Sequence, residues 1–476
     1  MVSLPVASAS ESVFSIPEEE TALMERTNEE FTEDLDQIES RSLIRVLVNF
    51  SRTNFFFHKG APQGFEYELM KAYEKYLNKS IEQRHKNVQM VFVPVPFHRI
   101  FDDLVAGRGD IAVAGLTITT ERSEKASFTL PYITSVDEVA VSHKSAPPLR
   151  NIDSLSGRTV YIRKGSSYQK HLEALNRQWE PTGIKPVNIT VAEELTVTED
   201  ILELVNANIV DLTVADRHIA EAWGSVLPDI VIHEDIVINS GGKIALAVRK
   251  ENPQLLNSLN TFIKKNREGS LLGNILFKRY YKSSNWIKNP TTDKERQKLM
   301  EIVSLFKKYG SQYDFNYLAL AAQAYQESKL DHSKVSPVGA VGIMQVLPST
   351  AADSNVNISD VTRIENNIHA GVKYLDFIRQ RYFSDDAISD ANQIYFSWAA
   401  YNAGPAKINK LRQIAKQRGY DPNQWFFNVE YIAAEKIGRE TFDYVSNIHK
   451  YYVAYQLYYD IYQKRMKRKS EVGTDS

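Results

Sequence analysis

The hydrophobic periodicity of this chain changes character once, and that change limits its fold more than any other feature. Up to about residue 282, short apolar strands alternate with helical stripes. From Gln297 onward the strand signal disappears, and helical periodicity runs nearly unbroken to Arg465. A single core cannot serve both patterns over 476 residues, so at least two domains are required. Ser283–Arg296 (SSNWIKNPTTDKER) sits at the change, is rich in turn-forming and polar residues, and reads as the connection.

In the first half, Ile44–Val48 alternates like a strand, and Gly64–Leu77 is helical with Leu69, Ala72 and Tyr76 on one stripe. Val88–Val93 is a second strand. Ile100–Val105 is a helix stopped by Gly107-Arg108-Gly109, and Asp110–Gly115 is a third strand. This alternation predicts a parallel sheet with helices on both faces. A second β/α unit starts at Thr159–Ile162, and the chain returns to the first after Ile236–Ile238. Two lobes follow, with a hinge expected near residues 141 and 238.

Net charge and residue usage remove several classes. A formal charge of -2 offers no reason to expect nucleic acid as partner. Cysteine is absent, which excludes disulfides, thiolate chemistry, Cys-type zinc sites and a lipid-bearing N-terminal Cys in this sequence. No window approaches 18 consecutive apolar residues. Met1–Ser10 lacks a basic start and a full apolar stretch, yet Ala7-Ser8-Ala9 resembles a signal-peptidase site. It reads as the remnant of an export signal, with the start of a cytoplasmic protein as the alternative. Glu11–Glu39 holds 11 acidic residues against one basic, so residues 1–41 are expected to form a solvated, disordered arm.

Residues 42–282 resemble the extracellular solute-binding proteins of the amino-acid-binding kind. The resemblance rests on Gly64-Phe65-Glu66-Tyr67-Glu68-Leu69, Gly115–Arg122, Phe128-Thr129-Leu130-Pro131-Tyr132, Gly165-Ser166-Ser167-Tyr168 and Val214-Ala215-Asp216, in that order. It implies a two-lobed, periplasmic-binding-protein-like α/β domain that closes on a small zwitterion. Arg122 matches the family's carboxylate clamp, suited by its planar, always-charged fork. Asp216 matches the ammonium partner, while Thr117, Ser166 and Ser167 add hydroxyl and backbone donors. For any one of these charges alone, a surface salt bridge is the plainer reading.

The second half turns on one acid. Asp314 is placed to cap a helix from Phe315 to about Leu330, and at roughly 100° per residue Glu327 shares a face with Leu320 and Ala324. An acid on an apolar face is a local conflict of the kind that marks a site. Desolvation would raise its pKa, as a general acid near neutral pH requires.

Around it, residues 297–462 resemble the soluble-type lytic murein transglycosylases, which implies an all-α, lysozyme-like domain. Four ordered blocks carry the match: Gln326-Glu327-Ser328; Ser336–Gln345 with Pro348-Ser349-Thr350-Ala351; Ala400-Tyr401-Asn402-Ala403-Gly404; and Glu440–Val445. Ile343 stands where Leu is usual. The resemblance makes Glu327 catalytic and has Tyr444 point its hydroxyl at it. Ser328, Met344, Gln345, Tyr401, Asn402 and Tyr444 become substrate-contacting residues. Gln345 and Asn402 suit hydroxyl and N-acetyl groups, and Met344 and Tyr401 suit pyranose faces, with core packing as their alternative. It also implies peptidoglycan as substrate and a periplasmic location with peripheral outer-membrane attachment. An amino-acid or muropeptide effector would occupy the first domain, and no cofactor is implied. Two other readings remain: a lysozyme-type hydrolase, and a silent ligand-binding scaffold. Tyrosines at 451, 455, 458 and 462 form a helical stripe best read as core contact. The basic residues of 463–476 form a tail, either solvated or touching anionic lipid or wall polymer.

Overall fold

The computed structural model describes residues 27, 29–58, 61–81, 87–281 and 293–472. β1 (Leu43–Val48) is buried along its whole length, as a central strand covered on both faces must be. A hairpin, β2 (Phe56–His58) with β3 (Ala61–Gln63), follows it. β4 (Gln89–Pro94) and β5 (Ile111–Val113) flank β1 in parallel, and β6 (Ser127–Phe128) and β12 (Ala247–Val248) complete the sheet antiparallel. The order β4-β1-β5-β12-β6 makes the first lobe. In the second lobe, β11 (Ile230–Ile244), β7 (Ile133–His143), β10 (Leu212–Asp216), β8 (Thr159–Ile162) and β9 (Asn188–Val191) lie side by side in that order. The mixed sheets differ from the purely parallel expectation because the chain leaves and re-enters the first lobe through long antiparallel strands.

Those strands also run through the expected hinge positions. Val141 and Ile238 lie inside second-lobe strands, with Val141 paired to both Thr213 and Ile232. The crossing lies nearer the first lobe, where Thr129 N and Tyr132 N donate to Leu246 O and Ile244 O.

The acidic arm also departs from expectation over its described part. Asp34 caps the helix Leu35–Arg41 and accepts from Gln254 N at 2.8 Å and Leu255 N at 3.0 Å. Phe31 O accepts from Arg45 Nη2 at 3.0 Å. This segment docks because Arg45, buried in β1, needs acceptors for its guanidinium, and the arm supplies backbone carbonyls. Asp110 supplies the counter-charge, 2.8 Å from Arg45 and 3.3 Å from Arg249. Residues 1–26, with the Ala7-Ser8-Ala9 motif, lie outside the described residues.

The second half is helical: Asp293–Tyr313, Tyr317–Ser328, Pro348–Ala352, Ile364–Tyr382, Asp390–Ala403, Pro405–Gln417, Glu430–Lys436 and Arg439–Val472. The expected connection lies mostly outside the described residues, and its last four positions already belong to the first of these helices. One core unites them around Trp398, Trp425, Phe306 and Tyr325. Tyr451 and Tyr455 of the tyrosine stripe are buried in it. The side chains of Tyr458, Tyr462 and the basic tail lie outside the description, while the last helix continues to Val472. The loop of residues 329–347 carries bridges Val335 to Val341 and Val341 to Val346. Among the described residues no helix is long and apolar enough to cross a membrane.

The helical domain packs on both lobes. Phe442 meets Phe50 of the first lobe edge-on at 5.0 Å between centroids, and Ala454 joins the second-lobe cluster around Tyr161 and Leu204. Between the domains lies a cavity of about 700 Å³, bordered by Arg52, Gln326, Lys329, Phe442 and Lys450.

Asp110→Ala would leave two guanidinium groups buried without their shared carboxylate. Breaking such a pair costs about 3–5 kcal/mol. The first lobe should therefore lose that much in a denaturant titration followed by a probe within it.

Candidate active site and ligand cleft

The helix that carries Glu327 begins later than the sequence suggests. Asp314 has φ 54°, and Asn316 is the cap, its side chain accepting from Leu318 N at 2.9 Å. A cap needs extended backbone, which Asn316 has and Asp314 does not. At the other end Lys329 and Leu330 both take left-handed φ, 59° and 56°, so the helix stops abruptly after Ser328. Glu327 thus sits in the last turn, between the apolar interior and the loop 329–347.

The loop and the last helix close over it. Tyr444, 4% exposed, donates its hydroxyl to Glu327 Oε1 at 2.5 Å. Lys334 Nζ donates to the Glu327 main-chain oxygen. Burial pushes the Glu327 carboxyl up to about 7, against the opposing pull of Tyr444 and then of Lys334. Nothing in the sequence blocks singles out Lys334; its signal is only its place in the loop that follows the helix of Glu327.

The other expected contacts divide. Asn402 Oδ1 accepts from Thr441 Oγ1 at 2.8 Å, one turn before Tyr444, which ties Asn402 to the helix that holds Tyr444. Gln345 has φ 47° and folds its amide back onto Lys334 O and Gly342 O, at 3.0 and 2.8 Å. Gly342 has φ 76°, and a Cβ there would lie 2.5 Å from the amide of buried Asn367, so glycine is required by that approach.

Two expected contacts, Met344 and Ser328, are corrected, and Tyr401 has its hydroxyl engaged. Met344 is fully buried against Gly371 and presents no surface to a sugar; it packs the core. Tyr401 spends its hydroxyl on Met344 O at 2.9 Å and leans on Tyr374, so it braces the loop. Ser328, 4% exposed, has its Oγ 2.8 Å from Ile343 O and accepts from Asp331 N at 3.1 Å. It is a clamp between helix and loop, since a buried hydroxyl must satisfy itself locally.

In the first domain the expected residues do meet. A cavity of about 40 Å³ is lined by Thr117, Arg122, Arg163, Ser166, Ser167 and Asp216, among others. Arg122 bridges the lobes, donating to Thr117 O at 2.7 Å and Gly165 O at 3.0 Å. Burial pushes Asp216 up to about 8, helped by Glu138, and its Oδ1 has no hydrogen-bond partner. Ser167 donates to Glu138 at 2.7 Å and Ser166 to Arg163 O at 2.8 Å, so both hydroxyls serve the cleft wall in this closed form. Arg163 is a cation that the motifs did not single out; its guanidinium lies 3.8 Å from the Phe97 centroid.

Comparison with known proteins gives each half a family. Residues 44–282 match the bacterial extracellular solute-binding proteins, family 3, and residues 304–424 match the transglycosylase SLT domain. The first half is also similar to a solved ancestral arginine-binding protein bound to arginine, over 51% of this chain and 99% of that one, at 24% identity and TM-score 0.42. Fold and site together define a transglycosylase domain joined to a solute-binding domain.

Relatives share this whole arrangement. A membrane-bound lytic murein transglycosylase F of Desulfosudis oleivorans is 30% identical over 437 residues, 88% of this chain and 91% of that protein. One of Pseudomonas putida is 26% identical over 438 residues, 88% and 86% of the two chains. The chain belongs to the membrane-bound lytic murein transglycosylase F family.

Tyr444 donates to the ionised form of Glu327, so its removal should raise the Glu327 pKa. A hydrogen bond to a charged group is worth about 1.5–3 kcal/mol, and about 1.4 kcal/mol is one pH unit. A general acid works while protonated, so Tyr444→Phe should move the alkaline limb of kcat/KM upward from near 7 by about one unit, with a lower kcat.

Proposed function

We propose that this chain cleaves the β-1,4 bond between N-acetylmuramic acid and N-acetylglucosamine in peptidoglycan without consuming water. The observation that carries this reading is Glu327, half-buried, hydrogen-bonded by Tyr444 and held near neutrality. Hydrolytic glycosidases generally use two carboxylates. The groups besides burial that set Glu327's titration are a phenol and an ammonium. Asp331, the nearest carboxylate in sequence, faces its own turn and accepts from Ser333 N at 2.9 Å and Ser333 Oγ at 2.6 Å.

One carboxyl suffices if it works twice. Protonated Glu327 gives its proton to the glycosidic oxygen as the C1–O bond breaks, releasing the N-acetylglucosamine C4 hydroxyl. The C6 hydroxyl of N-acetylmuramic acid then attacks C1 and yields its proton to the Glu327 carboxylate. The product is a 1,6-anhydro ring, and the enzyme returns protonated. A pKa near the working pH suits both halves, because neither proton transfer is steeply uphill.

The reading extends to regulation by a free amino acid or a peptide stem in the first domain. Its α-carboxylate would take over Arg122 from the two backbone carbonyls, and its ammonium would meet the unpartnered Asp216 oxygen. A cavity of about 40 Å³ is far below ligand-sized, so entry requires the lobes to part. Parting them strains a three-way junction. Arg52 of the first lobe lies 3.0 Å from both Asp200 and Glu203 of the second, and Lys450 of the last helix lies 2.7 Å from Glu203. A ligand that favours one lobe arrangement thereby biases the helix that carries Tyr444. The envelope placement goes with this reading: the periplasm, peripheral to the outer membrane.

Digestion of purified sacculi followed by mass analysis tests the reaction. Anhydro-ended muropeptides are expected, and reducing ends would make the chain a hydrolase instead. Glu327→Gln should abolish their release, by a factor on the order of 10³ or more. Turnover with and without stem peptides should respond in the wild type and lose that response in Arg122→Ala. Equal responses would end the regulatory proposal.

A further inference from the structure

We propose that the ligand of the first-domain cleft carries two carboxylates and one ammonium, and that Arg163 recognises the second carboxylate while Arg122 holds the first and Asp216 the ammonium. This rests on the reading of that cleft as an amino-acid or peptide-stem site. It names the class of ligand, a dicarboxylic amino acid or a stem peptide with two free carboxylates.

Elsewhere in the two lobes, arginines withdrawn from solvent sit against acids. Arg45 and Arg249 share Asp110 at 2.8 and 3.3 Å, and Arg52 lies 3.0 Å from both Asp200 and Glu203. Arg122 and Arg163 have neutral oxygens instead: Thr117 O and Gly165 O for Arg122, and Asn49 Oδ1 for Arg163. Among the described residues no carboxylate comes within ion-pair reach of either. Burial pulls the Arg122 guanidinium down to about 10 and lowers Arg163 as well. A guanidinium bonded to neutral acceptors still prefers a carboxylate, because charge-assisted bonds are roughly twice as strong.

The two cations border one cavity and cross it in opposite directions. Arg122 of the first lobe reaches Gly165 of the second, and Arg163 of the second reaches Asn49 of the first. Arg163 stacks 3.8 Å from the Phe97 centroid, and Arg122 lies 5.8 Å from the same ring. Stacking engages the face of a guanidinium and leaves its donor edge for hydrogen bonds. Each arginine has its own neutral acceptors to exchange, so each offers a separate carboxylate seat.

The acids of the cleft are unevenly engaged. Glu199 accepts from Thr53 at 3.0 Å, while Glu138 accepts from Ser167 at 2.7 Å and meets His171 Nδ1 at 2.6 Å. Asp216, 4% exposed, borders the cavity with Oδ1 unpartnered. Glu66 also has an unpartnered oxygen, yet it does not border the cavity. The unmet charges facing the cavity are two positive and one negative, the complement of two carboxylates and one ammonium. A neutral amino acid would leave Arg163 on Asn49, and a basic one would set a further cation beside two guanidiniums.

Calorimetric titration of the full chain tests this, with glutamate, glutamine, lysine and a stem peptide bearing two free carboxylates. Glutamate should bind about tenfold more tightly than glutamine, and lysine more weakly still. Arg163→Gln should bring glutamate and glutamine to equal affinity, with retained glutamine binding as the sign of an intact cleft. Arg163→Glu should reverse the preference and favour lysine over glutamate, and it decides the matter if Arg163→Gln binds nothing. The stem peptide should show the same dependence on Arg163, and its affinity beside that of glutamate tells which source supplies this chemistry. Glutamine or lysine binding the wild type as tightly as glutamate would overturn the proposal, as would a glutamate preference that survives in either variant. Binding of none of the four to the wild type, or glutamate binding undiminished in Arg122→Ala, would instead overturn the reading of the cleft itself, and this proposal with it.

Discussion

In the proposed reaction one carboxyl group both gives and takes a proton, which needs an environment that dislikes its charge but tolerates it. Glu327 has this because its helix ends at Ser328 with the side chain half inside the core, where burial opposes ionisation and the Tyr444 hydroxyl partly offsets that opposition. Much of the helical domain serves this balance. Ser328 and Asn367 pin the loop 329–347 against the helices, Tyr401 braces the same loop through Met344 O, and Thr441 sets Asn402.

The two domains are joined by chemistry and not by the connection alone. Phe50, Arg52, Thr53 and Asn54 follow β1 directly, and this short segment faces three ways. Thr53 donates to Glu199 beside the ligand cleft, Arg52 pairs with Asp200 and Glu203, and Phe50 packs on Phe442 two residues before Tyr444. A buried ionic junction of this kind has few relaxed alternatives, because each charge is expensive to leave unpaired. The first lobe, the second lobe and the last helix therefore share one ionic junction.

The legible part of this protein was local. The change of periodicity, the acid on an apolar face and the ordered blocks around it depend on neighbours in sequence, and they led to the two-domain division and to Glu327. The misplacements were tertiary. Met344 looks like sugar-contacting surface in the sequence because a loop beside an active site and a loop pressed into the core carry similar residues. Asp314 and Asn316 are both good caps by type, and only backbone conformation separates them. The acidic arm looked solvated because its need for Arg45, Gln254 and Leu255 lies outside it.

By itself the sequence determined the two fold classes and which acid stands against the grain of its helix, because these follow from side-chain type at fixed helical and strand periods. Only the tertiary structure decided which groups surround that acid, how far its proton is held, and which lobe and helix share the Arg52 junction. Those depend on residues over a hundred positions apart meeting in low dielectric, where the strength of a charge or hydrogen bond is set by what excludes the water.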